Sequence, residues 1–217
     1  VVLGGVKSNG RWSSIIVPFM ALFYIIAGLY IVFTNLDLAG PAFALIFTDA
    51  FTAEAGLGAL IGTTIRYGVA RGLFSNEAGM GSAPIAAAAA KTDHPCRQGL
   101  VSMTGTFLDT IIVCSITGLS LVMASLGGFA PGEPNSAALT SQSFQHFIPF
   151  GNVLVTIALV FFAYSTVLGW SYYGEKCFYY LVGEKGLIPY RVIFCAVVFV
   201  GAVTELDLVW SIADTFN

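Results

Sequence analysis

The sequence predicts an all-α integral membrane protein. Three observations carry that class. Apolar residues make up 57% of the chain and charged residues only 10%. Several stretches run uncharged for the roughly 20 residues that a bilayer crossing requires. Lys and Arg gather at 7–11, 91–97 and 176–191, leaving only Arg66 and Arg71 elsewhere. That alternation is the one expected of loops on opposite sides of a membrane. The net charge of -3 selects no partner, and no basic run points to nucleic acid. No leader is visible ahead of Val1, and residues 1–217 are expected to form one transmembrane domain that is incomplete at both ends.

The elements follow in order. Lys7 and Arg11 precede a first span over about 15–34, with Pro18 in its first turn, where proline costs little. Asn35, Leu36 and Asp37 end it. A short helix over 42–51, with Phe43, Ile46, Phe47 and Phe51 at helical spacing, is too short to cross. Gly56 and Gly58 lead into a helix over about 60–73. A basic loop at 91–97 precedes a span over about 100–126. Residues 127–143 form a polar loop, since Pro131 and Pro134 oppose a helix through its middle. A further span covers about 150–173, followed by a charged loop with Glu175, Lys176, Glu184, Lys185 and Arg191. The last span covers about 192–203 and extends toward Ile212. Counting the segment at 60–90 as one crossing gives five, with 91–97 and 176–191 in the cytoplasm.

Between two apolar stretches lies Arg71-Gly72-Leu73-Phe74-Ser75-Asn76-Glu77-Ala78-Gly79-Met80-Gly81-Ser82-Ala83-Pro84. It is polar and glycine-rich, and the helix-favouring run Ala86 to Ala90 follows it. Gly79 and Gly81 suit a helix end, Ser82 an N-cap, and Pro84 a first turn. The pattern predicts a helix, a break at about 74–82 and a second half-helix reaching Ala90. Backbone groups exposed in such a break need protein, water or ligand partners. Broken helices build substrate and ion sites in secondary transporters, and intramembrane polar residues usually serve function. The bland alternative is a kink that lets helices pack.

The stretch GVARGLFSNEAGMGSAPIAAAAAKT (68–92) resembles the signature of the sodium:alanine/glycine symporter family. QGLVSMTGTFLDTIIVC (98–114) and FFAYSTVLGWSYYGEKC (161–177) are similar to its next two helices. The resemblance covers essentially the whole chain. It implies the LeuT-like inverted-repeat fold of the amino acid–polyamine–organocation superfamily, with this chain supplying roughly core helices five to nine.

The candidate site residues divide into three groups. In the break, Phe74 offers an aromatic wall, Ser75 a hydroxyl and Asn76 an amide. The backbone through Gly79 offers carbonyls and N–H groups to a zwitterion. Glu77 is a ligand, a gate residue or the ion-pair partner of Arg71 or Arg66, and a structural or gating pair is favoured. In the span at 150–173, Phe162, Thr166 and Trp170 share a face. Ser165 and Thr166 carry hydroxyls that suit a hard cation. Equally, such hydroxyls bond the carbonyl a turn back. The resemblance tips that balance. It implies Ser165 and Thr166 at a sodium site, and Thr166, Trp170, Phe74 and the backbone after it beside the substrate, in a pocket small enough for alanine or glycine. In the third group Asp109, flanked by Thr106 and Thr110 in mid-span, is costly unless paired or hydrated. A packing or gating contact is favoured for it.

No Cys or His lies at a metal-ligand spacing. His94 and His146 fall in expected loops, and the cysteines are expected as free thiols. Tyr172, Tyr173, Phe178, Tyr179 and Tyr180 suit an aromatic belt. The expected function is sodium-coupled symport of alanine or glycine by alternating access in a prokaryotic inner membrane. Its partners are then the amino acid, sodium and the bilayer, with no cofactor. Proton coupling through Glu77 or Asp109, a channel and a structural subunit are the alternatives. An enzyme is disfavoured, because no intramembrane histidine or metal pair is present to activate Ser75 or Ser82.

Overall fold

In the computed structural model, the structure describes residues 6–50, 68–73, 75–77, 79–129 and 136–216. All regular structure among them is helical. The helices are α1 (Val6–Thr34), α2 (Leu36–Ala50), α3 (Ala83–Ala87), α4 (Pro95–Leu126), α5 (Ser136–Phe147), α6 (Gly151–Val182), α7 (Leu187–Val203) and α8 (Leu206–Phe216). Residues 68–73 and 75–76 are also helical. Four helices among the described residues are long and apolar enough to cross a membrane, at Trp12–Thr34, Pro95–Leu126, Gly151–Val182 and Glu184–Val203. They expose large apolar side chains such as Phe19, Phe33, Val160 and Phe199. The fifth expected crossing, at 60–90, begins with residues 60–67, which lie outside the described residues, as do Gly56 and Gly58 ahead of it.

The chain divides into two units. One contains residues 19–72 and 103–160. Its core is seeded by Met20, Tyr24, Ala27 and Ile31, which follow one another at helical intervals along one face of α1. Ile116, Met123 and Ala124 of α4 and Phe144 of α5 are also buried. The Tyr24 ring stacks on Phe144, centroids 5.5 Å apart. The stretch Ser115–Leu126 of α4 packs against both α2 and α5. Gly28 faces Ile116 so closely that a side-chain carbon there would overlap the Ile116 γ2-methyl.

The other unit contains residues 1–18, 73–102 and 161–217. Leu168, Ser171 and Glu175 are buried on one face of α6. Gly183, at φ 81°, ends that helix with its N–H on the Tyr179 carbonyl, and a single 3-10 turn at Glu184–Gly186 leads into α7. Tyr190 of α7 stacks on Phe178, centroids 5.3 Å apart, and lies against Gly174.

Several expected boundaries are corrected. The short helix begins at Leu36 rather than residue 42, because the interruption is one residue wide. Asn35 accepts the N–H groups of Leu38 and Ala39 on its carbonyl and donates its side-chain N–H to the Ile31 carbonyl. The expected loop at 127–143 becomes α5 from Ser136, and His146 lies on that helix rather than in a loop. Burial of Ser143 and Phe144 rewards helix there. The expected loop at 176–191 is almost entirely helix, since α6 runs 32 residues to Val182. Thr204, extended at φ -86° and ψ 148°, separates α7 from α8. The span expected from residue 100 starts at Pro95 and carries an eight-residue π-helical stretch, Phe107–Cys114. All four cysteines are free thiols and lie within long helices, Cys96 in the first turn of α4 and Cys114, Cys177 and Cys195 further along theirs.

Candidate functional site

The break falls where the sequence places it. Residues 75 and 76 are helical, and helix resumes at Ala83. Between them Glu77, Gly79 and Gly81 take φ of 55°, 79° and 79°. Glycine adopts that left-handed backbone without penalty, and open space surrounds both glycines, so conformation rather than crowding selects them. Glu77 has no such freedom and is held there at a cost of about 1–3 kcal/mol.

The Glu77 side chain supplies the compensation. Ser82 donates its hydroxyl hydrogen to Glu77 Oε2 at 2.9 Å, tying the far side of the break to the near side. Ser82 does occupy the N-cap position of α3 with Pro84 in the first turn, yet it makes no capping bond: its own backbone is already helical, at φ -77° and ψ -43°, rather than in the extended conformation typical of a capping residue. The second half-helix is also shorter than expected. It ends at Ala87, and tighter bonds from Ala89 to Ala86 and from Ala90 to Ala87 close it.

On α6, Ser165 Oγ and Thr166 Oγ1 both donate to the Phe162 carbonyl, each at 2.9 Å. The back-bonded reading of these hydroxyls is therefore what the side chains do. It leaves cation chemistry open, because a hydroxyl that donates its hydrogen keeps its acceptor lone pairs. One turn on, Trp170 meets Tyr173 edge to face, centroids 5.8 Å apart at 74°.

Ser75, Asn76, Glu77, Gly79, Ser165, Thr166 and Trp170 thus belong to one unit. Phe74 lies outside the described residues. Arg71 and Asp109 belong to the other unit. Asp109 sits half-buried in the π-helical stretch of α4, a departure from α geometry that recurs at functional sites. A groove of about 500 Å³ runs beside α3, lined by Pro84, Ile85, Ala88, Ala89, Tyr172 and Lys176. It includes none of the expected ligand residues. Among the described residues, no three His, Cys, Asp or Glu side chains cluster in a metal-binding group.

Three residues escaped the sequence reading. Tyr173 had the look of a belt residue, although its position three after Trp170 places it on the same helix face. Glu175 and Arg191 had the look of loop charges. They are a partly buried bidentate pair, with Glu175 the buried member, Nε to Oε2 at 2.8 Å and Nη2 to Oε1 at 2.9 Å.

Long apolar helices together with a glycine-broken, carboxylate-braced segment define an integral membrane protein with a discontinuous helix, an arrangement used by secondary transporters. The chain belongs to the sodium:alanine symporter family, whose model matches residues 1–217. The sodium/alanine symporter AgcS of Methanococcus maripaludis is 64% identical over 219 residues, covering 100% of this chain and 48% of that protein. The probable sodium/glutamine symporter GlnT of Bacillus subtilis is 35% identical over 217 residues, covering 100% of this chain and 45% of its own length. A sodium/proton-dependent alanine carrier protein of a Bacillus species is 33% identical over 233 residues, covering 98% and 52%. The chain spans about half the length of the curated relatives it matches.

Proposed function

We propose that this chain supplies much of the ligand-bearing core of a secondary active transporter that couples sodium entry to uptake of a small neutral amino acid, alanine or glycine. The observation that carries the reading is the braced break at 77–82 in the same unit as Ser165, Thr166 and Trp170. The family membership supports it. In this reading Ser165 and Thr166 coordinate sodium through the oxygens whose hydrogens are turned to the Phe162 carbonyl. Phe74, Ser75, Asn76, Gly79, Thr166 and Trp170 face the amino acid. Its carboxylate meets N–H groups of the break and its ammonium meets carbonyls. Asp109 and Arg71 serve as gating or packing charges. The fold is LeuT-like. Sodium favours the substrate-competent conformation through its differential affinity, and alternating access releases both ligands to the cytoplasm. The protein sits in a prokaryotic inner membrane, with 91–97 and the turn within 176–191 on the cytoplasmic side.

A second coupling ion is favoured by one observation, the sodium/proton-dependent relative. Glu77 or Asp109 would then carry the proton.

The test is labelled alanine uptake into proteoliposomes holding the full-length protein that carries this sequence. Sodium-gradient accumulation is expected. Ser165→Ala and Thr166→Ala are expected to raise the sodium concentration for half-maximal uptake by about tenfold or more. Uptake that is indifferent to replacement of sodium by a non-coupling cation would overturn sodium coupling, and a proton gradient that sufficed alone would move the coupling to a carboxylate.

A further inference from the structure

We propose that Ser82 is a positioning residue of the amino-acid site. Its hydroxyl, bonded to Glu77, latches α3 to the helix before the break and holds the backbone around Gly79 in the shape that receives the ligand. The inference rests on the reading of the break as that site.

Little else on the chain fixes the break. Its turn bond, from Met80 N–H to the Glu77 carbonyl, is long at 3.4 Å. Gly79 and Gly81 have no side chains, and open space surrounds them, so packing at these two positions does not select their left-handed backbone. Helix α3 is equally short of anchors. It is five residues long, and none of the five is buried. A helix that short has almost no stability of its own.

Ser82 is different. It is buried, at 6% exposure, directly ahead of α3. Its backbone is already helical, so it moves with α3. Its hydroxyl donates to Glu77 Oε2 at 2.9 Å, five positions back and across both glycines. Glu77 stands at the other edge, in a left-handed conformation that its backbone does not favour. A hydroxyl bonded to a carboxylate makes one of the stronger hydrogen bonds, and a serine side chain is too short to allow much slack. One bond therefore sets the approach of two helix pieces whose ends flank Gly79. The same geometry separates two roles for Glu77. As a latch acceptor it depends on the Ser82 hydroxyl. As a proton carrier it depends on its own ionisation and needs no such hydroxyl.

The experiment uses the full-length protein in proteoliposomes with Ser82→Ala, Glu77→Gln and the double variant. Two readouts are taken. The first is alanine KM against maximal rate under a sodium gradient. The second does not depend on transport. A single thiol introduced by Met80→Cys, with the native cysteines, Cys96, Cys114, Cys177 and Cys195 among them, changed to Ala, is labelled with a maleimide. Ser82→Ala is expected to raise labelling rate and alanine KM by about tenfold, the loss of one charge-assisted bond, with maximal rate within about twofold. Glu77→Gln keeps an acceptor oxygen without its charge and is expected to raise both by about threefold, which tests the latch even where Ser82→Ala fails to assemble. The double variant is expected to be no worse than Ser82→Ala alone, because both changes act on one connection. Labelling or KM that Ser82→Ala leaves unchanged, or full additivity in the double, would overturn the proposal. Loss of transport in Glu77→Gln beside an unaffected Ser82→Ala would overturn it in favour of a proton carrier. Faster labelling in a protein whose unaltered form does not accumulate alanine would uphold the latch and sink the transport reading.

Discussion

Tyr24 of α1 is the donor, and Thr117 of α4 the acceptor, in a 2.7 Å hydrogen bond between their side-chain oxygens. Thr117 has one hydroxyl hydrogen, and it lies on the Val113 carbonyl at 2.7 Å. The hydrogen between Tyr24 and Thr117 must then come from Tyr24. The Tyr24 ring, stacked on Phe144, fixes the direction of the bond.

The two ends of that bond should therefore respond unequally. Tyr24→Phe keeps the stack and leaves Thr117 bonded to Val113, so it should cost about 0.5–1 kcal/mol. Thr117→Val removes the acceptor beneath a mostly buried phenol and should cost more, about 1–3 kcal/mol. Thermal unfolding in detergent reads both. Equal losses would reverse the donor assignment.

Gly28 tests close packing in the same unit. Gly28→Ala places a methyl on the Ile116 side chain, and overpacking of this kind costs about 1–3 kcal/mol. Ile116→Ala removes the colliding methyl, so the double variant should recover part of that loss. A double variant with strictly additive losses in the same melt would show that α1 simply shifts away.

Arg191 and Glu175 make the third case. The pair is mostly buried and bidentate, with side-chain exposures of 18% and 7%. Arg191→Ala strands the Glu175 carboxylate and should cost about 3–5 kcal/mol. Arg191→Lys keeps the charge but not the fork geometry and should fall between Ala and the unaltered protein. Replacing both residues by Gln should be milder than Arg191→Ala alone. Denaturation midpoints in a fixed detergent rank these variants, and a double replacement as harmful as the single would remove charge burial as the cause.

What the sequence made legible follows the strength of each local signal. The spans were readable because apolar length is a direct consequence of bilayer thickness. The break was readable because two glycines in a polar run have few other uses, and both indeed take left-handed backbone. The helix ends were harder. Glu175 looks like a loop residue until Arg191, sixteen positions on, neutralises it. Helix α5 was hidden by Pro131 and Pro134, while its reason to exist, the burial of Phe144 under Tyr24, lies in distant sequence. For Ser165 and Thr166 periodicity gave the face, and the hydroxyl hydrogens went to Phe162. Nothing local could tell which lone pairs a cation would use.

The corner between α6 and α7 also carries information about time. Its contacts, Glu175 with Arg191, Phe178 with Tyr190, and Gly174 under Tyr190, all close loops of about sixteen residues or fewer. Tyr24 and Thr117 are ninety-three positions apart. Closing the shorter loops loses less chain entropy, and local pairings form first. During synthesis the corner can be finished once Arg191 has emerged, with no help from any other part of the chain. It would enter assembly as a preformed helical hairpin.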